Sequence, residues 1–226
     1  MKKKNLKIEE RIKDYLKLII LFFLYYFSSL FISFKNVHYF LLSRILMSTL
    51  VIFLALFLYR KELTKDWKIF KKNPKEQMSI TFKYWALGLL IMISSNFLLQ
   101  KANLGMSQNE TSIRAILQLS PLLGTLAVGI FGPLVEEIIF RKAFYEAIKK
   151  PVLFIVISSV IFGFLHIASS YTAWYDLLFL IPYSSLGVVF GISLIKTKSV
   201  IPVIIVHVIH NLSIAFLTFL FAGVIL

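Results

Sequence analysis

The sequence predicts an all-α membrane protein, a bundle of about seven transmembrane helices with a cytoplasmic N-terminus. Hydrophobic residues make up 58% of the 226 positions and charged residues only 16%, which is far more apolar than a soluble protein. Seven apolar blocks approach or exceed the roughly 20 helical residues that cross a hydrocarbon core about 30 Å thick. The basic residues gather between alternate blocks, as in cytoplasmic loops of membrane proteins.

The seven blocks follow one another with short polar connections. The first block comes after a basic segment, like a signal peptide, but it runs too long and no small-residue cleavage pattern follows, so we interpret it as an uncleaved span. Polar residues lower the apparent hydropathy of the fourth and fifth blocks. The spans are predicted at residues 16–34, 39–59, 79–99, 113–132 continuing toward 148, 152–171, 175–195 and 199–225.

The distribution of lysine and arginine predicts the orientation of the bundle. Basic runs precede the first span and separate the second from the third, and five lysines follow spans four and six: Lys142, Lys149, Lys150, Lys196 and Lys198. The opposite connections carry only Lys35, Lys101 and Arg114. Because basic loops stay on the cytoplasmic side, the N-terminus is predicted inside and the C-terminus outside.

No internal repeat or linker divides the chain, so we expect one integrated membrane domain. Residues 1–111 would supply spans one to three with their basic cytoplasmic segments, and residues 112–226 the core of spans four to seven.

The net charge of +14 does not indicate a nucleic-acid partner, because the charges lie in short runs rather than on one folded face with stacking aromatics. The absence of cysteine excludes disulfides and thiolate metal sites. The expected location is a bacterial cytoplasmic membrane, with the oligomeric state left open.

Two adjacent glutamates stand well inside the fourth block. Glu136 and Glu137 are the only ones of the 11 acidic residues placed this way, and a charge near the bilayer centre costs on the order of 3 kcal/mol. Arg141 follows Glu137 by four residues, so the two are predicted to pair on one helix face. Glu136 points about 100° away from that face and requires another environment.

Two further helices carry polar side chains to a similar depth. His166 lies near the outer end of span five, and His207 and Asn211 share one face of span seven. At about 1.5 Å per residue, the four groups lie roughly 14 to 24 Å from the nearest cytoplasmic lysines, which predicts one common polar site. His210 falls outside this spacing and is interpreted as structural, and Arg44, near the start of span two, as snorkelling toward the headgroups.

Three motifs carry a family resemblance. The stretches "EEIIFR" (Glu-Glu-x-x-x-Arg), "FGFLH" (Phe-x-x-x-His) and "HVIHN" (His-x-x-x-Asn) stand in this order on successive helices. Each alone is a weak signal, but together they resemble the signature of the CPBP family, which comprises the CAAX prenyl endopeptidases and the bacteriocin-processing or Abi-type membrane proteins. The resemblance covers roughly residues 112–220.

The resemblance implies cleavage of peptide bonds inside the membrane. Glu136 would act as general base on a water molecule, and His166 would hold that water or share its proton. His207 and Asn211 would donate hydrogen bonds to the developing oxyanion. Peptide hydrolysis does require a base for water and donors aimed at the carbonyl oxygen. The residues implied as supporting this site are Glu137, Arg141 and Phe162.

A divalent metal such as zinc is an alternative use of the same side chains. Glu136, His166 and His207 are ligands of the kinds that hold catalytic zinc, with a fourth position open for water. The His-Glu-x-x-His helix of many zinc proteases is absent from the sequence. The sequence therefore does not decide whether the activity depends on a metal.

Three function classes remain for the chain. An intramembrane endopeptidase is favoured, acting on a membrane-associated peptide or protein in pheromone or bacteriocin maturation or in self-immunity. A non-catalytic scaffold or regulator, for example of a sensor kinase or as an immunity protein, would keep the fold without needing Glu136. A proton-coupled carrier would use both glutamates as a relay, but it should show repeated halves with paired broken helices.

Overall fold

The computed structural model describes residues 2–31, 35–168 and 171–221, with the side chains of the first helix from residue 8 to residue 27. These parts of the chain form nine helices and no strand, so the predicted all-α class is confirmed. In chain order the helices are α1 (Lys2–Phe31), α2 (Val37–Leu58), α3 (Arg60–Lys72), α4 (Pro74–Lys101), α5 (Gln108–Leu119), α6 (Pro121–Ile148), α7 (Pro151–Ala168), α8 (Trp174–Thr197) and α9 (Ile201–Leu220).

Six of the helices in the described part are long and apolar enough to cross a membrane: α2, α4, α6, α7, α8 and α9. They coincide with predicted blocks two to seven, and the polytopic membrane bundle is confirmed. The first block lies in α1, which is not among the six, so the count of seven and the orientation stay predictions. Three predicted spans also run into residues outside the described ranges: 32–34, 169–170 and 222–225.

The predicted start of the fourth span at residue 113 was wrong. Residues 108–119 form the separate helix α5, and the chain turns at Ser120, whose φ of −147° and ψ of 76° are not helical. The cause is Pro121, because a proline disfavours the helical region for the residue before it and is well accommodated in the first turn of a new helix. The fourth span is therefore α6 alone.

Helix α6 crosses the centre of the bundle and is wider than a regular α-helix in two places. Residues Thr125–Phe131 and Ile138–Ala143 form π-type turns on either side of the regular turn Gly132–Glu137. Such wide turns are uncommon in helices and are frequent at functional sites. They place Glu136 and Glu137 at the end of the short regular segment between them.

Close contacts between small residues bring α4, α7 and α8 together. Helix α8 packs along both α4 and α7. A Cβ built on Gly88 of α4 would lie 2.6 Å from a methyl group of Val189, and one built on Gly187 of α8 would lie 2.9 Å from Cβ of Ser159. Because neither position leaves room for a side chain, the three helix backbones approach closely, as small residues allow in membrane bundles.

Candidate active site

The four predicted site residues line one cavity of about 760 Å³. Glu136 comes from α6, His166 from α7, and His207 and Asn211 from α9. The sequence placed these groups at similar depth, and the structure brings them to the wall of the same space. Helices α2, α4 and α5 complete the wall on the other side.

Glu137 is completely buried and lies between two partners. Its Oε1 accepts a hydrogen bond from Nδ1 of His207 at 2.7 Å, and its Oε2 lies 3.1 Å from Nε of Arg141. The predicted pairing of Glu137 with Arg141 is therefore present. The contact with His207 joins α6 to α9, and the separation of 70 residues gave no sequence signal for it.

Arg141 is held by charge and by aromatic rings. Its contact with Glu137 is within ion-pair distance but is not aligned as a hydrogen bond, and none of its nitrogens donates to an acceptor in the described part of the chain. The guanidinium carbon instead lies 5.1 Å from the ring centre of Phe162 and 5.9 Å from that of Phe190. Cation–π contacts of this kind are strongest where water is excluded. Phe162 thus supports the site through Arg141.

The contact with Glu137 determines what His207 presents to the cavity. A carboxylate oxygen can only accept, so Nδ1 of His207 carries the hydrogen, and Nε2 of the neutral ring is then an acceptor. This Nε2 lies 3.9 Å from Oε2 of Glu136. His207 can therefore donate to an oxyanion only after Nε2 takes up a proton.

His166 is fixed by its own helix and by α8. Its Nδ1 lies 2.7 Å from the carbonyl oxygen of Phe162, which can only accept, so Nδ1 carries the hydrogen and Nε2 is an acceptor. The imidazole stacks on Tyr183 with the ring centres 4.8 Å apart and the planes 27° apart. The hydroxyl of Tyr183 is in turn 2.6 Å from Oγ of Ser107 and accepts from Nδ2 of Asn109 at 3.2 Å. Sequence reasoning missed Tyr183, Ser107 and Asn109, because no motif spacing involves them.

Asn211 contacts both the wide turn of α6 and the cavity. Its Nδ2 donates to the carbonyl oxygen of Val128 at 2.9 Å. An amide nitrogen carries two hydrogens, so one remains for another acceptor. The predicted role as an oxyanion donor would use this second hydrogen, and that role stays a prediction.

His210 lies beside the site but belongs to a different contact. Its Nδ1 accepts from the indole Nε1 of Trp85 at 3.3 Å, and its side chain is buried at 5% exposure. It also lines the cavity. The bond to Trp85 of α4 supports the interpretation of His210 as structural.

Arg44 contacts an aromatic side chain of α1. Its guanidinium carbon lies 4.7 Å from the ring centre of Tyr25, and its Nη1 donates to the backbone oxygen of Tyr25 at 3.4 Å. Arg44 also lines the cavity with Glu136. The sequence did not predict this contact, which arises because the packing of α1 against α2 offers an aromatic ring beside the cavity; snorkelling toward the headgroups stays a prediction.

The side chains do not form a metal site in this arrangement. Within the described residues, no three His, Asp or Glu side chains lie close enough together to hold an ion. Glu136 and His207 approach each other, but His166 is aligned with Phe162 and Tyr183. The zinc hypothesis stays a prediction for experiment.

Comparison with known proteins supports the motif assignment. Residues 118–213 match the family model described as Type II CAAX prenyl endopeptidase Rce1-like. This segment contains Glu136, Glu137 and Arg141 as well as the His166 and His207 motifs. No solved structure matches the chain at a significant level.

Three relatives are informative. YdiL of Bacillus subtilis, described as a candidate membrane peptidase, is 34% identical over 108 residues, which cover 46% of this chain and 41% of YdiL. The membrane-embedded CAAX protease MroQ of Staphylococcus aureus is 36% identical over 93 residues, which cover 37% of this chain and 34% of MroQ. The protein YxdF of Lactococcus lactis is 28% identical over 155 residues, which cover 65% of this chain and 83% of YxdF.

The matches to YdiL and MroQ span less than half the length of those relatives. Both relatives are named as membrane peptidases, in agreement with the family model. The six apolar helices of the described part agree with a multi-pass location in the cell membrane. The resemblance that the three motifs predicted is therefore confirmed for segment 118–213, which matches the model of the Rce1-like CAAX prenyl endopeptidases.

Proposed function

We propose that the protein is an intramembrane endopeptidase that hydrolyses a peptide bond in a membrane-associated peptide or protein. The observation that carries the proposal is the convergence of Glu136, His166, His207 and Asn211 on one cavity of about 760 Å³. This volume lies within the range of roughly 300–1,000 Å³ of typical ligand sites. The match of segment 118–213 to the family model and the names of the relatives YdiL and MroQ support the same class of activity.

Glu136 is the base in this proposal. Its side chain is 16% exposed and faces the cavity, and among the described residues its one contact within 4 Å of a basic nitrogen is with Nε2 of the neutral His207, at 3.9 Å. A water molecule between Glu136 and Nε2 of His166 would give one proton to the carboxylate while its oxygen bonds to the scissile carbonyl carbon. Both groups are acceptors, as the activation of water requires.

His207 and Asn211 act on the oxyanion that forms next. Asn211 offers its remaining amide hydrogen, and Nε2 of His207 becomes a donor when it receives the proton held by Glu136. Preorganised donors are most effective where water is excluded. The proton then passes to the leaving nitrogen, the carbon–nitrogen bond breaks, and its electron pair stays on that nitrogen to give an amine and a carboxylic acid.

Glu137 and Arg141 hold His207 in the orientation that this sequence of transfers needs. Glu137 fixes the proton on Nδ1, and the positive charge of Arg141 balances the buried carboxylate. Carboxylates that orient a histidine in this way also stabilise the imidazolium when it forms. The pair therefore acts through His207 and touches no substrate.

The biological role is a further part of the proposal. A small membrane peptidase of this family is suited to maturation of peptide pheromones or bacteriocins, or to self-immunity against them. The lipid bilayer would deliver the substrate to the cavity. Prenylated C-terminal peptides are the substrate class implied by the family description, and any of these peptides would satisfy the chemistry.

The decisive experiment compares wild type with Glu136→Gln in liposomes, using mass spectrometry of membrane peptides. We expect cleavage to fall by about 10²- to 10⁴-fold, the usual contribution of a general base. Glu110→Gln is the matched control, because Glu110 lines the same cavity but pairs with Arg114. Identical peptide profiles for wild type and Glu136→Gln would favour a scaffold or a carrier instead.

A further inference from the structure

Two charged side chains on the cavity wall lack a partner of opposite fixed charge in the described part of the chain, Glu136 and Arg44. Glu110 pairs with Arg114 at 2.8 Å, whereas Glu136 faces the neutral ring of His207 at 3.9 Å. Arg44 lines the same cavity. No acidic side chain of the described residues lies within ion-pair distance of its guanidinium. Arg44 is therefore a cation beside the proposed site that has no ion-pair partner among the described residues.

The contacts of Arg44 hold the guanidinium in place without neutralising it. One N–H donates to the backbone of Tyr25, and the ring of Tyr25 lies against the guanidinium carbon. Both contacts orient the group, but neither supplies a negative charge. A guanidinium has five N–H donors in a rigid fork that matches a carboxylate, so most of the fork stays available to a ligand in the cavity.

Arg44 lies inside a span and next to the helix of the base. It is the eighth residue of α2, which begins at Val37, so it stands about 10 Å along the helix from that end. Helix α2 packs against the regular turn Gly132–Glu137, which carries Glu136. Ionisable residues inside spans are costly and commonly mark substrate pathways.

The rest of the wall favours a peptide as the source of the anion. Side-chain amides of Asn96, Gln100 and Asn109 line the cavity between apolar stretches of α4 and α5. Amides pair well with a peptide backbone, whereas a lipid phosphate stays at the headgroup level. The ligand that fits is an extended apolar peptide with one carboxylate.

We propose that Arg44 binds a carboxylate of the peptide substrate and thereby selects which peptides are cut and fixes their position against Glu136. The inference rests on the proposed peptidase function. It adds that the cavity recognises a carboxylate on the substrate. Arg44 takes no part in the bond cleavage. It is a specificity-determining residue, because a fork-to-fork contact gives orientation as well as affinity.

Binding is best measured where no cleavage occurs, in Glu136→Gln protein in nanodiscs. The probe is a dye-labelled N-dodecanoyl peptide of alanine and leucine in three forms: a free C-terminal acid, a C-terminal amide, and an amide with one internal glutamate. Fluorescence anisotropy gives each Kd. The two acidic forms distinguish a terminal carboxylate from a side-chain carboxylate.

We expect Arg44→Gln to raise the Kd of an acidic form by about 10- to 100-fold, as loss of a charge-assisted contact does. The Kd of the plain amide should change by less than about threefold. Arg114→Gln is the matched control, since it removes the same charge from the same cavity. It should leave the preference for the acidic form intact.

Three results would overturn the proposal: equal weakening of acidic and amide forms by Arg44→Gln, the same selective loss in Arg114→Gln, or no preference for an acidic form before Arg44 is changed. Arg44→Lys keeps the charge but not the fork and should give an intermediate loss. Arg44→Lys replaces Arg44→Gln in the binding measurement if Arg44→Gln fails to fold. Because no cleavage is needed, a wild-type protein that cuts no peptide would count against the peptidase function and leave this binding result intact.

Discussion

His207 donates a hydrogen bond from Nδ1 to Oε1 of Glu137 at 2.7 Å, and this bond crosses from α9 to α6. It turns Nε2 of His207 toward Glu136. The two adjacent glutamates therefore have different surroundings, and in the proposed mechanism Glu137 positions His207 while Glu136 acts on water. Glu136 faces the cavity and Glu137 faces the protein interior.

Glu137→Gln should impair catalysis more than substrate binding. The amide keeps the shape of the side chain but removes the charge that orients His207 and balances Arg141. We expect kcat to fall by about 10²- to 10⁴-fold, since the carboxylate that orients the histidine of a serine-protease triad contributes about 10⁴-fold, with KM nearly unchanged. Steady-state kinetics on a peptide cut by wild type would measure both. A rise in KM at constant kcat would place Glu137 in substrate binding instead.

Tyr183 should affect the rate through His166. Tyr183→Phe keeps the ring stacked on His166 and loses the contacts with Ser107 and Asn109, so we expect a loss of kcat of about threefold. Tyr183→Leu removes the stacking as well and should cost more. A pH–rate profile distinguishes loss of His166 positioning from general destabilisation of the protein. Only a displaced His166 should shift the pH values at which the rate rises and falls. Equal rates for both variants and wild type would exclude a role for Tyr183.

A buried ion pair ties α3 to α6 and should matter for stability. Nζ of Lys142 donates to both carboxylate oxygens of Asp66 at 3.0 and 3.1 Å, and both side chains are almost fully buried. The backbone N–H of Val200 also donates to Asp66 at 3.1 Å. Lys142→Met would leave the carboxylate without its cation. We expect the free energy of unfolding to fall by about 3–5 kcal/mol near neutral pH, as when one partner of a buried pair is removed.

The loss in Lys142→Met should depend on pH. Burial raises the pKa of Asp66 even though Lys142 and the N–H of Val200 oppose the shift, and removing Lys142 raises this pKa further. A carboxyl whose pKa is higher in the folded state opposes folding as it ionises, so stability is lost as pH rises through that pKa. Thermal unfolding in detergent across pH should show the variant approaching wild type as pH falls. Lys150→Met, an exposed change of the same charge, should show neither effect.

Chelation tests the zinc hypothesis directly. No three metal-binding side chains in the described part of the protein converge, so we expect activity to persist after dialysis against a strong chelator. Wild type in liposomes, before and after chelation and after zinc is added back, gives the comparison. Loss of cleavage that zinc restores would show that Glu136, His166 and His207 rearrange around a metal.

Local spacing predicted much of the site. The four-residue separation of Glu137 and Arg141 predicted their ion pair, and helix depth predicted that α6, α7 and α9 present polar groups at one level. The contacts of His207 with Glu137 and of His166 with Tyr183 could not be predicted this way, because they join residues far apart in the chain. They depend on how the helices pack, which the periodicity of a single helix does not determine.

The irregular parts of the fold were harder to predict than the spans. Pro121 is a local signal for the break between α5 and α6, but the apolar run across it favoured a continuous span. The two wide turns of α6 left no comparable signal, since their residues are ordinary for a helix interior. The contact of Arg44 with Tyr25 could not be predicted either, because Tyr25 lies on another helix.

The cavity has two kinds of wall, and they come from different parts of the chain. The segment that matches the family supplies every group proposed to react, whereas Arg44, Trp85 and Asn96 come from helices that precede residue 118. Peptide-bond cleavage and substrate selection would then be encoded in different segments of the chain. Consider a chimera that joins the helices before residue 118 of this protein to the matching segment of a relative. It should show the substrate preference of this protein and the catalytic residues of the relative.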